Sequence, residues 1–147
     1  MSTPIDGRES LENQLSFLLA RASAVSSAAG NSALAGYGLK VRSYSVLALA
    51  CDPSRVSQRE IAEYLRLDPS QVVALVDQLE SSGLIIREPD ARDRRANVIV
   101  ATDAGHRLFE TANAETISAE HRQHSMLTDA ERDTLRGLLR KIAFPEA

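Results

Sequence analysis

The chain has 147 residues, enough for one domain with a real core, and its 44% apolar and 25% charged content are those of an ordinary soluble globular protein. A net charge of −3 argues against a general nucleic-acid coat protein, but not against a specific binder whose cations are concentrated where phosphates pass. No apolar run approaches the ~18 residues of a membrane span, no basic-then-apolar leader opens the chain, and one cysteine, Cys51, excludes an internal disulfide framework and fits a reducing, cytoplasmic compartment.

In chain order, residues 1–9 are polar, contain Pro4 and Gly7, and are expected to fray. From Ser10, the run LENQLSFLLARASAVSSA spaces Leu11, Leu15, Leu18, Leu19, Ala22 and Val25 as a helix does. Its apolar residues cover more than one face, as expected of a helix that touches both its own domain and a partner subunit. Ala28 to Gly38 is small, Gly-rich and contains Asn31, which reads as a loop. Val41 to Ala50 is predicted to be helical, with Tyr44, Leu47, Ala48 and Cys51 on one side, and Asp52 and Pro53 end it.

Ser57 and Glu60 then have capping-box spacing, predicting a short helix to Leu65 that buries Ile61, Ala62 and Leu65. After a tight turn Asp68 is placed to N-cap a second helix with Pro69 at its first position. Val72, Leu75, Val76 and Leu79 give that helix one apolar face, and Gly83 is placed to stop it in a left-handed cap. Two helices joined this tightly read as helix-turn-helix. Leu84 to Arg87 and Asn97 to Ala101 look like strands, joined by the tip EPDARDRRA, in which Arg92, Arg94 and Arg95 alternate with Asp90 and Asp93. That is a wing. Thr102 and Asp103 should start a long helix to about Ser125, whose few apolar residues (Leu108, Phe109, Ala112, Ile117) suit a strut between lobes. Thr128 and Glu131 repeat the capping spacing before a last helix carrying Leu135, Leu138, Leu139 and Ile142, with Phe144 beyond. Terminal helices so striped would expose a large apolar patch on a monomer, so a twofold dimer with first and last helices interlocked is expected.

With one face of the second helix buried, Ser70, Ala74, Asp77 and Ser81 point the other way, flanked by Gln71 and Gln78 on one side and Val73 on the other. Ser70, Gln71, Val73 and Ala74, near its N-terminus, are the candidate base-edge contacts. Gln71 suits an adenine edge, and Val73 or Ala74 a thymine methyl, though Val73 reads equally well as a core residue. Asp77 is expected to avoid phosphates or to orient an arginine. Gln58 and Arg59, in the first turn of the preceding helix, suit phosphate. Of 17 basic residues 15 are Arg, and four fall between Arg87 and Arg95, the residue type for forked contacts to phosphate and guanine. Taken alone the tip reads equally as a solvated loop; a helix-turn-helix directly before it favours DNA.

The run LVDQLESSGLIIREPDARDRRANVIVATDAG resembles the signature of the MarR family of winged-helix regulators, in its LE..GL helix ending, its D.RDRR wing tip and its T..G entry to the next helix. The resemblance implies a mainly α fold with a small β-hairpin wing: a winged helix-turn-helix lobe over 38–101 and dimerisation helices over 8–36 and 103–147. It implies a ligand-responsive repressor, binding double-stranded DNA as a homodimer at a near-palindromic operator with half-sites ~34 Å apart. Arg94 would enter the minor groove, while Arg92, Asp93 or Arg95 brace the loop or touch the backbone. A small aromatic or anionic effector would sit where the first, second and fifth helices meet, with Phe17, Arg21, Tyr37, Tyr44 and His106 as candidates, although aromatics at helical spacing also read as core. The opening LENQL resembles the organic-hydroperoxide-sensing branch, but Ser16 stands at the reactive-cysteine position and Ala20 where an aromatic is expected. Serine cannot form the sulfenic acid such sensing needs.

Other chemistries are thinly represented. His121 and His124 lie three apart with Glu120 beside them and His106 further back, a spacing that would accept zinc in a metal-responsive regulator, set against solvated imidazoles on a polar helix. Cys51 on an apolar side reads as an inert thiol. No Gly-rich phosphate loop, nucleophile elbow or metalloprotease pair is present, so neither an enzyme nor a cofactor is expected. A winged helix that binds protein rather than DNA is the remaining alternative, favoured by the acidic balance and disfavoured by the arginine-rich tip.

Overall fold

The structure, a computed structural model, describes residues 3–146. Its first helix, α1 (Gly7–Glu12), lies where fraying is expected; it is held by Asp6, whose carboxylate accepts the Arg8 and Glu9 amides at 2.9 and 3.2 Å. Asn13 then turns its side chain back onto the Glu9 carbonyl, and the chain breaks before α2 (Leu15–Leu34). The sequence reading of one helix from Ser10 is therefore two.

The loop expected over Ala28 to Gly38 is corrected as well: α2 continues through Leu34, and only a 3-10 turn, Ala35–Tyr37, follows. Alanines favour helix, and tertiary contacts settle the rest. A Cβ on Gly30 would lie 2.7 Å from Val41 Cγ2, so its absence lets α3 (Val41–Ala50) pack close, while Asn31 Oδ1 accepts the Val41 amide at 2.8 Å. What look like loop residues are contacts between helices. In α3 the buried set is Ser43, Val46, Leu47 and Ala50, with Tyr44, Ala48 and Cys51 half-buried, a stripe rotated from the predicted one.

The helix-turn-helix forms as its caps dictate. Ser57 Oγ accepts the Glu60 amide and Glu60 accepts the Ser57 amide at the head of α4 (Gln58–Leu65), which ends at Arg66 in the left-handed region. Helix α5 (Pro69–Ser81) begins at Asp68 and stops before Gly83 at φ 73°. Strands β1 (Ile85–Pro89) and β2 (Asn97–Ala101) pair antiparallel, Ile85 opposite Ala101 and Pro89 opposite Asn97. Ser57 adds a bridge to Val98, and the Ile99 amide bonds the Val56 carbonyl, so the wing is stitched to the start of α4. Val46, Leu47, Ile61, Val72, Val76, Leu79, Ile85 and Ile99 fill the core of this lobe.

Thr102 caps α6 (Asp103–Gln123) and donates its hydroxyl to the Gly83 carbonyl at 2.7 Å, tying the end of α5 to the start of the strut. α6 runs along α2. The chain returns as α7 (Asp129–Ala143), capped by Thr128 and Glu131 as predicted, and buries none of its own residues. Leu135, Leu138, Leu139 and Ile142 are 39 to 55% exposed. They face Leu15, Leu18, Leu19 and Ile117 across an open apolar groove between α2, α6 and α7. Among the described residues no helix is long and apolar enough to cross a membrane.

Candidate nucleic-acid interface

Ser70, Gln71, Val73 and Ala74 all lie exposed on α5, and Val73, 39% exposed, is not a core residue. Gln71 is not idle: its side-chain oxygen accepts the Asp68 amide at 3.3 Å, as the capping box requires. Reading an adenine edge would oblige it to release that cap or to use its amide donor alone. Gln58 is half-buried beside the wing, its side-chain oxygen 3.4 Å from Arg87 Nε, whereas Arg59 is exposed and pairs with Glu63 one turn on, at 3.0 Å.

The arginines around the wing divide into held and unheld. Arg87 is held hardest: it donates to Asp77 Oδ1 at 2.5 Å and Glu80 Oε1 at 2.8 Å, and its amide bonds Glu80 Oε2 at 3.2 Å. One guanidinium thus joins β1 to α5 and to the head of α4. Asp77, expected to avoid phosphate or orient an arginine, orients this one. Arg92 folds back onto Asp90, bonding both carboxylate oxygens at 3.2 Å and donating its amide at 2.9 Å, and reaches Glu60 at 3.4 Å. These bonds, the Arg92 guanidinium first, pull the Asp90 carboxyl below the usual carboxylate range; Glu60 is lowered by the Ser57 amide first and Arg92 after it. Arg55, in the turn before α4, pairs with Glu88, the residue after Arg87 in β1. Asp93 closes the tip by accepting the Arg95 amide at 3.0 Å. The side chains of Arg94 and Arg95 have no hydrogen-bond or ion-pair partner among the described residues.

The sequence reading missed Arg87, Glu80, Glu60 and Arg55 as parts of this assembly. Its one signal was the acidic Asp77 on an otherwise uncharged helix face.

The five effector candidates do not come together. A cleft of about 250 Å³ lies between α2, α3 and α6, and of the five only Tyr44 lines it. Its hydroxyl donates to Asn113 Oδ1 at 2.8 Å and its ring lies 5.6 Å from that of Phe109. Tyr37 packs on the core, Phe17 is half-buried on α2, and Arg21 and His106 are exposed away from the cleft. His121 and His124 line the apolar groove instead, and among the described residues no three His, Cys, Asp or Glu side chains converge as a metal-ion set. Burial, then Glu110, pushes the half-buried Cys51 thiol up, away from reactive thiolate.

The same arrangement recurs in known proteins. The MarR family model matches residues 37–96, the span from the 3-10 turn to the wing tip. A MarR-family transcriptional regulator from Rhodococcus sp. RHA1 superposes with a TM-score of 0.84 at 43% identity, over 90% of this chain and 97% of that one. CouR from Rhodococcus jostii RHA1, solved bound to p-coumaroyl-CoA, gives a TM-score of 0.82 at 41% identity over 93% and 96% of the two chains. The regulatory protein assigned to the hcr operon of Thauera aromatica is 31% identical over 99 residues, 67% of this chain and 60% of its own length. The chain therefore spans less than two thirds of that curated relative. These relatives are transcriptional regulators, not enzymes. A winged helix-turn-helix set between helices that leave their apolar faces open, repeated nearly end to end in a regulator 43% identical, places the chain in the MarR family.

Proposed function

We propose that the chain is a ligand-responsive repressor that binds a near-palindromic DNA operator as a homodimer. The observation that carries this reading is the division of the wing arginines. Arg87 and Arg92 are spent on fixing the hairpin against α4 and α5, which leaves Arg94 and Arg95 projecting from a braced tip. The exposed N-terminal turns of α5 supply base-edge contacts from Ser70, Gln71, Val73 and Ala74; Arg59 and the head of α4 take phosphate, and Arg94 enters the minor groove. The open groove between α2, α6 and α7 supports pairing of two copies, which would set the two α5 helices one turn of duplex apart.

Ligand response has two supports: the α2–α3–α6 cleft, and the 41% identical CouR solved with p-coumaroyl-CoA. A ligand there acts only if it favours one spacing of the lobes over another.

The test is binding to the DNA upstream of the chain's own coding sequence. Affinity should fall by orders of magnitude between low and moderate salt, as several phosphate contacts require. Arg94→Ala should weaken binding while leaving the oligomeric state unchanged. Affinity indifferent to salt and to Arg94 would refute the assignment.

A further inference from the structure

The α2–α3–α6 cleft carries more information in its hydrogen-bonding groups than in its shape. Its floor and sides are apolar where Ala33, Leu34, Val41 and Ala119 line it, a slot suited to a ring. At about 250 Å³ it is smaller than the roughly 300–1,000 Å³ of sites for drug-sized ligands, so it suits a small molecule or one end of a larger one.

The polar groups around that slot are unusual in two respects. First, among the described residues no lysine, arginine or histidine lines it, and Glu120 is the one carboxylate. Second, the hydroxyl hydrogens of three lining residues are already committed. Tyr44 donates to Asn113 Oδ1 at 2.8 Å, Ser45 to the Val41 carbonyl at 2.8 Å, and Thr116 to the Ala112 carbonyl at 2.9 Å. With those bonds kept, each meets a ligand as a hydrogen-bond acceptor. Burial pushes the Tyr44 phenol up, against the smaller opposing effect of the neighbouring Thr116 hydroxyl. The remaining neutral donors, on Ser26, Ser27 and Gln123, can supplement these acceptors but carry no charge to balance an anion.

We infer that this cleft holds an uncharged, hydrogen-bond-donating ring, as a small molecule or as one end of a larger one, and that it discriminates against a carboxylate on the part it holds. A carboxylate would enter with no cation to pair it, facing committed hydroxyl oxygens and Glu120, and would lose its hydration without replacement. A phenol, amide or amine would meet acceptors directly. This inference rests on the reading of the cleft as the effector site, and of the aromatic or anionic effector that the family resemblance implies it keeps the ring and drops the anion.

Three probes of one shape separate the charge states: para-hydroxybenzamide, para-hydroxybenzylamine and para-hydroxybenzoate, titrated calorimetrically into the full chain. The amide and the amine should bind, and the benzoate should be weaker by on the order of tenfold or more. Glu120→Gln, a change at an exposed side chain, should narrow the gap between amine and benzoate. Ser27→Leu, which fills the cleft, should abolish binding of all three, with circular dichroism confirming the fold. If benzoate binds tightest and Ser27→Leu still abolishes it, the charge rule is overturned and the cleft remains the site. If the probes bind equally well to Ser27→Leu, the cleft is not the site. Binding by none of them at millimolar concentration overturns the inference.

Discussion

At the wing, what separates Arg94 from Arg87 and Arg92 is the company each keeps, since all three carry the same charge within eight residues. Arg87 meets two carboxylates and Gln58, and Arg92 meets Asp90 and Glu60, so their guanidinium groups are engaged before any DNA arrives. Arg87→Met should therefore weaken operator binding by loosening the wing, without removing a phosphate contact: the slope of log affinity against log salt should stay close to that of the parent chain, whereas Arg94→Ala should reduce it by about one. Equal loss of slope in both would mean that Arg87 touches DNA directly. The brace also depends on pH. Because the folded value of Asp90 lies below its unfolded value of about 3.9, its contribution is present above that value and is lost as pH falls through the folded value. Exchange protection of the Arg92 amide should persist at neutral pH and fall in acid, and Asp90→Ala, which removes the acceptor, should abolish it throughout. Protection unchanged in that variant would contradict the brace.

Among the elements, those with a local rule were legible and those set by distant contacts were not. Ser57 with Glu60, Asp68 with Pro69, Thr102, and Thr128 with Glu131 each name a helix start, because a cap is satisfied within three residues and so is written in the sequence. The end of α2 has no such mark. Gly30 and Asn31 look like loop residues until Val41 is brought against them, a contact ten residues away. The same limit hid the Arg87 assembly, whose carboxylates lie seven and ten residues earlier in another element, and scattered the effector candidates, since Phe17 and Arg21 do not line the cleft that Ser26 and Gly30 line. Gly105 shows how tightly one such junction is drawn. A Cβ there would lie 2.0 Å from the Leu84 carbonyl oxygen, which is backbone and cannot rotate aside. Gly105→Ala should cost about 3 kcal/mol through the forced shift of α6 against the end of α5, read as a lowered melting temperature. An unchanged melt would show that the junction yields.

For the whole molecule, the decisive feature is that α7 buries nothing while its leucines face those of α2. An apolar face of this length left to water promotes association, and a second copy supplies matching residues by symmetry. Just past the end of α7, the Phe144 ring packs against Tyr64 of α4 with centroids 5.8 Å apart, so lobe position should respond to how the terminal helices pair. Leu138→Glu should therefore convert the chain to monomers and abolish operator binding although every proposed DNA contact is intact. The most direct measurement of the account is sedimentation of the full chain alone and with a duplex from its own upstream region. The account predicts a dimer in isolation and a complex of two chains per duplex that dissociates as salt rises. A monomer, or a chain that leaves that duplex sedimenting free at low salt, would contradict it.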